Sequence, residues 1–327
     1  MWVVVGIKTE PPPTGTFRAA EAKMIRRFLA FLCCLLCFHP AQAALNIQFD
    51  YTYDTNNFFS GANISRRSLL TSAAQVFTGH ISDSLTAITP GGSNSWSAIF
   101  DNPSTGATLS LSNLSIAANT VVVFVGAQNL GSGILGEGGP GGWSGSGTST
   151  WLNTVKARGQ AGALAATPTD FGPWGGALTF SLTSSWYFDS DPSTLESFAG
   201  QNDFFSVAVH ELGHLLGLGT AASWDAQISG SYFEGANAKA ANGGLHVALS
   251  GDLGHWNDGT TSKIYGTSTA QEAAMDPSLL VGSRKYFTTL DYAGLSDVGW
   301  QVAPEPPAWI FSGSGLVVLA LIRRRKV

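Results

Sequence analysis

The pentapeptide at 210–214, His-Glu-Leu-Gly-His, constrains this chain more than any other segment of its 327 residues. In an α-helix, residues four positions apart lie on one face, about one turn from each other. Two imidazoles at this spacing reach a single Zn²⁺ at ~2.1 Å, and the glutamate between them can take a proton from a water that the metal activates. The pattern therefore predicts a zinc site with His210 and His214 as ligands and Glu211 as the general base.

The residues around the pentapeptide favour a helix. Asn202 or Asp203 can cap its first turn, and Gly217 or Gly219 can end it in the left-handed conformation. A broad apolar surface lies behind the polar pair and comprises Phe204, Phe205, Val207, Val209, Leu212, Leu215 and Leu216. An ordinary buried helix with incidental histidines is the alternative, and it leaves the combined motif, start and stop signals unexplained.

The stretch from His210 to Gly217 resembles the active-site helix of the metzincin metallopeptidases. In the short metzincin signature, a third ligand, His or Asp, stands three residues after this glycine. Thr220 occupies that position here, and its neutral hydroxyl is a poor zinc ligand. We therefore expect the third ligand to come from farther along the chain.

The candidates for the third ligand are His255, His246 and Glu234. Leishmanolysin-like metzincins carry such a delayed third histidine after an insertion. We select His255 because Gly254 lets the backbone approach the metal and Trp256 can shield the site from water. His246 and Glu234 stay open as alternatives, because zinc prefers histidine but accepts carboxylate.

The resemblance implies an α+β, metzincin-like fold, with a twisted mixed sheet, an active-site helix and a C-terminal subdomain that carries a Met-turn. Residues 274–277, Ala-Met-Asp-Pro, resemble this turn, in which Met275 would pack beneath the metal without binding it. Residues 288–300 look like the short closing helix. We expect Tyr292, within that helix, to pack in the core rather than to assist catalysis.

Patterns upstream of the predicted helix that carries His210 and His214, called the metal helix below, predict further elements. Alternating residues predict a strand at 45–51, helical spacing predicts a helix at 66–81, and a β-branched run predicts a central strand at 120–125. Residues 131–147, dominated by Gly and Ser, predict a surface loop with too few carboxylates to favour a calcium site. Residues 174–188 predict an extended ribbon, which the resemblance identifies as the antiparallel edge strand that binds substrate; an internal strand is the alternative.

The start of the chain has the pattern of a secretory signal peptide. Residues 24–43 comprise Arg26-Arg27, an apolar run and a small-residue cleavage site. Residues 1–23 show no structural logic, and we expect them to be a non-native extension, with translation starting at Met24.

The end of the chain, 304–327, combines Pro-Glu-Pro, an apolar stretch and a basic terminus. It closely resembles the PEP-CTERM sorting signal of Gram-negative bacteria. The resemblance implies processing by an exosortase, a transient membrane association through this transmembrane segment, and delivery to the cell surface or extracellular matrix. A simple tail anchor is the alternative.

Residues 44–303 remain as the expected zinc metallopeptidase domain. The cysteines of the chain, Cys33, Cys34 and Cys37, lie in the signal, so no disulfide is expected in this domain. The domain has 8 basic and 19 acidic side chains, a net charge of −11. Because this charge repels phosphate, no nucleic-acid partner is expected.

Together these features predict a secreted or cell-surface zinc-dependent endopeptidase, a hydrolase that uses Zn²⁺ to cleave a polypeptide substrate. A catalytically silent surface or extracellular-matrix protein on a metallopeptidase fold is the alternative function. The intact residues His210, Glu211 and His214 favour the enzyme.

Overall fold

The computed structural model describes residues 45–194 and 196–303. The helices are α1 (Arg66–Thr78), α2 (Ser149–Ala157), α3 (Phe204–Leu215), α4 (Ala222–Asp225), α5 (Ala236–Ala241) and α6 (Thr289–Val298), with 3₁₀ turns at Gly61–Asn63 and Ala161–Leu164. The strands are β1 (Asn46–Asp50), β2 (Ser95–Asp101), β3 (Thr108–Ser112), β4 (Thr120–Gln128), β5 (Gly136–Pro140), β6 (Gly142–Ser146), β7 (Gly175–Ser181), β8 (Trp186–Tyr187), β9 (Asn202–Asp203), β10 (Ile228–Ser229), β11 (Tyr232–Phe233), β12 (Val247–Ala248), β13 (Thr261–Lys263) and β14 (Ala270–Glu272).

The main sheet is mixed and has the strand order β1-β4-β7-β5. β1, β4 and β7 are parallel, whereas β5 runs antiparallel to β7. Smaller sheets have the orders β3-β2-β6, β10-β11-β12, β13-β14 and β8-β9. The predicted α+β class with a mixed sheet is therefore confirmed.

The central strand β4 separates two cores. Val121, Val123 and Val125 lie in the larger core with α1 and α3, while Val122 and Phe124 lie in the smaller core with β2 and α2. Successive side chains of a strand point to opposite faces, so a continuous apolar run is needed where both faces are covered. The run therefore produces a layered domain, with the metal helix on one side of the sheet and the second sheet on the other.

Several sequence predictions are confirmed with adjusted bounds. The strand predicted at 45–51 is β1, the helix at 66–81 is α1, and the strand at 120–125 extends to Gln128 as β4. The closing helix predicted at 288–300 is α6. Its first turn has a capping box, in which the Thr288 side chain and the Asp291 side chain each bind the other's backbone N–H.

Two predictions about the sheet are wrong. The glycine-rich segment 131–147, expected to be a surface loop, forms β5 and β6. The ribbon at 174–188 contains β7, which is parallel to β4 and paired on its other side with β5, so its identification as the antiparallel edge strand is wrong and the alternative of an internal strand is confirmed. The antiparallel edge strand is β5. Its sequence lacks the side-chain alternation typical of strands, because its glycine backbone forms the hydrogen bonds and packs closely against its neighbours.

The predicted signal peptide at 24–43 with its cysteines, the extension 1–23 and the sorting signal 304–327 lie outside the described residues. Within the described part of the chain, no helix has the length and apolar character needed to cross a membrane.

Candidate metal centre

Helix α3 carries His210 and His214, two of the three predicted metal ligands. Its N-cap is Asp203, one of the two predicted caps, which accepts a hydrogen bond from the backbone N–H of Ser206. Arg284 pairs with the same carboxylate at 2.8 Å, and both side chains are fully buried. The helix packs against α1 and beneath β5. Its start is therefore held by a cap and an ion pair inside the core.

Helix α3 ends where the sequence predicted, and its end lies beside the third histidine. The last helical residue is Leu215, and Gly217 and Gly219 have positive φ values of 106° and 72°. A Cβ on Gly219 would lie 2.0 Å from the carbonyl oxygen of Gly254, so only glycine permits this contact. The turn after α3 is thereby brought against the loop that carries His255.

The structure brings His210, His214 and His255 together. The Nε2 atoms of His214 and His210 are 3.0 Å apart, those of His214 and His255 are 3.0 Å apart, and those of His210 and His255 are 3.2 Å apart. The three side chains form a group of potential metal ligands. Residues from a helix and from a loop 41 positions away thus direct their nitrogens at one point.

Each imidazole is oriented through its other nitrogen. His210 Nδ1 donates to the carbonyl of Ala274 at 2.7 Å, and His214 Nδ1 donates to the carbonyl of Leu218 at 2.8 Å. A carbonyl oxygen only accepts hydrogen bonds, so in each neutral ring the proton is on Nδ1 and the lone pair is on Nε2. His255 Nδ1 lies 2.7 Å from the Asp252 carboxylate.

The pKa values of the helical histidines favour the neutral, ligating form. Burial, followed by the charge of His255, lowers the pKa of His214 to about 4. Burial and the neighbouring His214 hold the pKa of His210 well below its usual value, although part of this ring is open to the cleft. Both rings are therefore neutral at neutral pH, with an unprotonated Nε2, as metal binding requires.

The three histidines fit Zn²⁺. Tetrahedral coordination at ~2.1 Å separates ligand nitrogens by roughly 3.4 Å, close to the observed 3.0–3.2 Å. With Nδ1 protonated, unprotonated nitrogens converge in the buried cluster, an arrangement that a cation stabilises. Three histidine ligands leave one zinc position open, as in catalytic sites.

Glu211 lies beside the cluster and beneath β5. Burial, followed by the charge of Glu137, raises the pKa of Glu211 to about 8, while a hydrogen bond from the backbone N–H of Gly138 opposes this shift. A cation at the histidines would favour the ionised carboxylate. Glu211 is thus a carboxylate whose proton affinity depends on the neighbouring site, a property suited to a proton carrier.

Residues 274–276 form the floor of the cluster. The carbonyl of Ala274 holds His210, and Met275 is buried, with its Sδ 2.5 Å from where a Cβ on Gly213 would lie. The carboxylate of Asp291 accepts hydrogen bonds from the N–H groups of Ala274 and Met275. The methionine therefore packs against the metal helix, between the positions of its two histidines.

The alternative third ligands lie elsewhere. Glu234 pairs with His246 at 2.7 Å and with Lys239 at 3.1 Å, and neither Glu234 nor His246 belongs to the histidine cluster. Tyr292, expected to pack, is buried, and its hydroxyl donates to the carbonyl of Val76. These residues are therefore occupied by structural contacts.

A cleft of about 750 Å³ lies over the cluster and is lined by Glu211, the three histidines, the first three residues of β5, and Pro277, Ser278, Leu279 and Val281. Two hydrogen bonds lie at the ends of β5: Ser181 N–H donates to the carbonyl of Leu135, and Gly141 N–H donates to the carbonyl of Gly175. Because alternate residues of an antiparallel strand face the same partner, the backbone N–H and C=O groups of the odd-numbered residues of β5 face β7. The backbone groups of Gly136 and Gly138 accordingly face away from the sheet. On this side β5 has no strand partner among the described residues, so it presents an open edge to the cleft.

The sequence predictions missed three contributors to the site: the edge strand β5, the anchor Asp252 and the buried Asp291. A carboxylate three residues before His255 was a usable signal, since ligating histidines commonly donate to a carboxylate. The two glycines Gly136 and Gly138 were a second signal, since glycine at alternate positions allows another element to approach closely. A Cβ at either position would lie within 2.8 Å of an atom of Glu211.

One comparison with known protein families matches the part of the chain that contains α3. The family model for Matrixin peptidases matches residues 150–241, a range that contains His210, Glu211 and His214 and ends before His255. No curated protein and no solved structure matches the chain significantly. The family match supports a metzincin-type zinc metallopeptidase.

Proposed function

We propose that this protein is a zinc-dependent endopeptidase in which His210, His214 and His255 bind the metal and Glu211 is the general base. The convergence of three Nε2 atoms, each on a ring whose Nδ1 is held by an oxygen, carries this proposal. The delayed position of His255, 41 residues after His214, supports the leishmanolysin-like variant of the metzincin site.

The proposed reaction divides its tasks among named residues. Zinc, when bound, supplies a Lewis acid that lowers the pKa of water and polarises the peptide carbonyl. Glu211 takes the proton of the attacking water and delivers it to the leaving amine, so one carboxylate acts first as base and then as acid. Met275 supports the metal helix from below.

The open edge of β5 is proposed to bind the substrate. The backbone N–H of Gly136 and the C=O groups of Gly136 and Gly138 face the cleft and can pair with an extended peptide of any sequence, while the N–H of Gly138 already donates to Glu211. This pairing would lay the peptide across Glu211, which lies directly beneath both glycines. An endopeptidase requires such an extended site, because it holds the chain on both sides of the scissile bond.

We further propose that residues 24–43 direct export and that residues 304–327 act as the sorting signal processed by an exosortase. The order of Pro-Glu-Pro, apolar run and basic end supports this destination at the cell surface or in the extracellular matrix. Mass spectrometry of the mature protein from its native host would test it. Mature termini that retain Arg323 or Met24 would contradict the proposed processing.

The general-base role is tested by Glu211→Gln, with Glu196→Gln as the matched control on an exposed loop. The Glu211 variant should keep its zinc, measured by inductively coupled plasma spectrometry, and lose casein hydrolysis by about 100–10,000-fold. The control should retain both properties. Full activity of Glu211→Gln would end the general-base assignment, and a wild-type protein that holds zinc without cleaving would favour the catalytically silent alternative.

A further inference from the structure

The edge strand β5 carries one charged side chain, Glu137, which the proposed reaction does not use. A Cβ added to Gly136 or Gly138 would point towards Glu211 and the metal helix. Because neighbouring residues of a strand point to opposite faces, the Glu137 side chain lies on the other face, towards β2 and β3. A peptide that extends the sheet would place every second side chain on this same face.

A second cavity, of about 400 Å³, opens on that face. Glu137 and Asp101 line it, together with Thr108, Thr179 and the backbone of residues 138–142. Glu137 also lines the cleft over the histidines, so the two spaces meet at this residue. A long side chain from a bound peptide can therefore enter the second cavity past Glu137.

The register of β5 specifies how Glu137 would meet a peptide. The backbone groups of Gly136 and Gly138 face the open edge, so an antiparallel peptide would form its hydrogen bonds with these two residues. The peptide residue that lies between those hydrogen bonds would then be opposite Glu137, and these two residues would form a non-hydrogen-bonded pair. Side chains of such a pair have Cβ atoms about 4.5–5.5 Å apart and interact directly. The charge of the opposing residue therefore affects binding.

Within residues 45–194 and 196–303, no cation pairs with Glu137. Among the described residues, none donates a hydrogen bond to its carboxylate or forms an ion pair with it, and the side chain is exposed. Apart from the histidines, Lys285 is the basic residue lining either cavity, and it already pairs with Asp276 and Glu272. The carboxylate thus remains available to a ligand.

We infer that Glu137 makes this protein select polypeptides with a lysine or arginine close to the scissile bond, at the position opposite Glu137 on the edge strand. This inference rests on the proposed peptidase function and names its substrate class. A long basic side chain reaches the cavity beside Glu137, and the acidic domain attracts basic peptides. An acidic residue at the same position would be repelled.

The test begins with a positional scan of fluorogenic peptides, cleaved by the wild-type protein, to find where arginine increases kcat/KM most. Two peptides that differ there only by Arg or Gln are then compared. The wild type should favour Arg about fivefold, the size expected for a partly screened ion pair. Glu137→Gln should bring the Arg/Gln ratio close to one, and Glu137→Lys should favour a Glu peptide over the Arg peptide.

Asp225→Asn is the matched control, because it removes one exposed carboxylate outside both cavities and should keep the wild-type ratio. Raising the salt concentration should reduce the wild-type preference and leave the Glu137→Gln ratio unchanged. An Arg/Gln ratio in Glu137→Gln equal to that of the wild type, or a scan without a basic preference, would overturn the inference. A wild-type protein that binds zinc but cleaves no peptide would instead refute the proposed function.

Discussion

His210 and His214 lie on a helix packed into the main core, whereas His255 lies on a loop whose anchor, Asp252, has a side chain that is 55% exposed. Backbone carbonyls hold the two helical rings, and a carboxylate holds the third. The helical half of the centre therefore depends on the integrity of the fold, whereas the loop half depends on one local charge. Perturbing each half separately should give different phenotypes.

The largest effect is expected from Arg284→Met, which disrupts the anchor of the metal helix. Arg284 is fully buried and forms ion pairs with Asp203 and Asp189, both at 2.8 Å. Removing it leaves buried carboxylates without their partner, so the free energy of unfolding should fall by about 3–5 kcal/mol. Urea denaturation measures this change. Lys263→Met, at an exposed cation, is the control, and an equal loss in both variants would contradict the anchor role.

An intermediate effect is expected from acidifying the metal-free protein. The pKa of His214 is about 4 in the folded protein and near 6.5 in an unfolded chain, so between these pH values the unfolded chain binds the extra proton. The contribution of His214 is therefore complete above about pH 6.5 and falls by about 3 kcal/mol as the pH approaches 4, whereas Glu211, whose pKa is raised to about 8, contributes in the opposite sense. Thermal unfolding after chelation measures this loss, and His214→Gln should reduce it. A pH dependence of the midpoint between pH 7 and 5 that is the same in His214→Gln and in the wild type would contradict the expectation.

The smallest effect on the fold is expected in the loop half. Asp252→Asn keeps an acceptor for Ser250 and Gly254 but removes the charge that orients His255. Zinc affinity, measured by competition with a chelator, should fall by about 10–100-fold, while the free energy of unfolding of the metal-free protein changes by less than about 0.5 kcal/mol. Asp258→Asn, another exposed loop carboxylate, is the control. Unchanged zinc affinity would show that the position of His255 does not depend on the charge of Asp252.

The same contrast explains which features could be predicted from the sequence. Helix α3 and strand β4 have strong local patterns, because their apolar residues must match the faces that they bury. The pairing of His255 with the helix depends on tertiary contacts such as that between Gly219 and Gly254, so its selection needed a family resemblance.

The edge strand β5 was missed for a different physical reason. Its sequence, Gly-Glu-Gly-Gly-Pro, has no apolar alternation, because backbone contact rather than side-chain burial packs it against α3. Residues 174–188 have strong strand propensity, which predicts a strand there but not whether it lies at the edge of the sheet. Propensity identifies strands but not their position in a sheet, which the antiparallel partner β5 determines.

Asp291 has a consequence for how the centre is assembled during synthesis. Its one carboxylate accepts hydrogen bonds from Trp256, next to His255, and from Ala274, whose carbonyl holds His210. The helical histidines leave the ribosome well before α6, which carries this carboxylate. The helix that carries His210 and His214 is therefore synthesised before the coordination site that we propose can be completed, because that site needs α6 to bring Asp291 against Trp256 and Ala274.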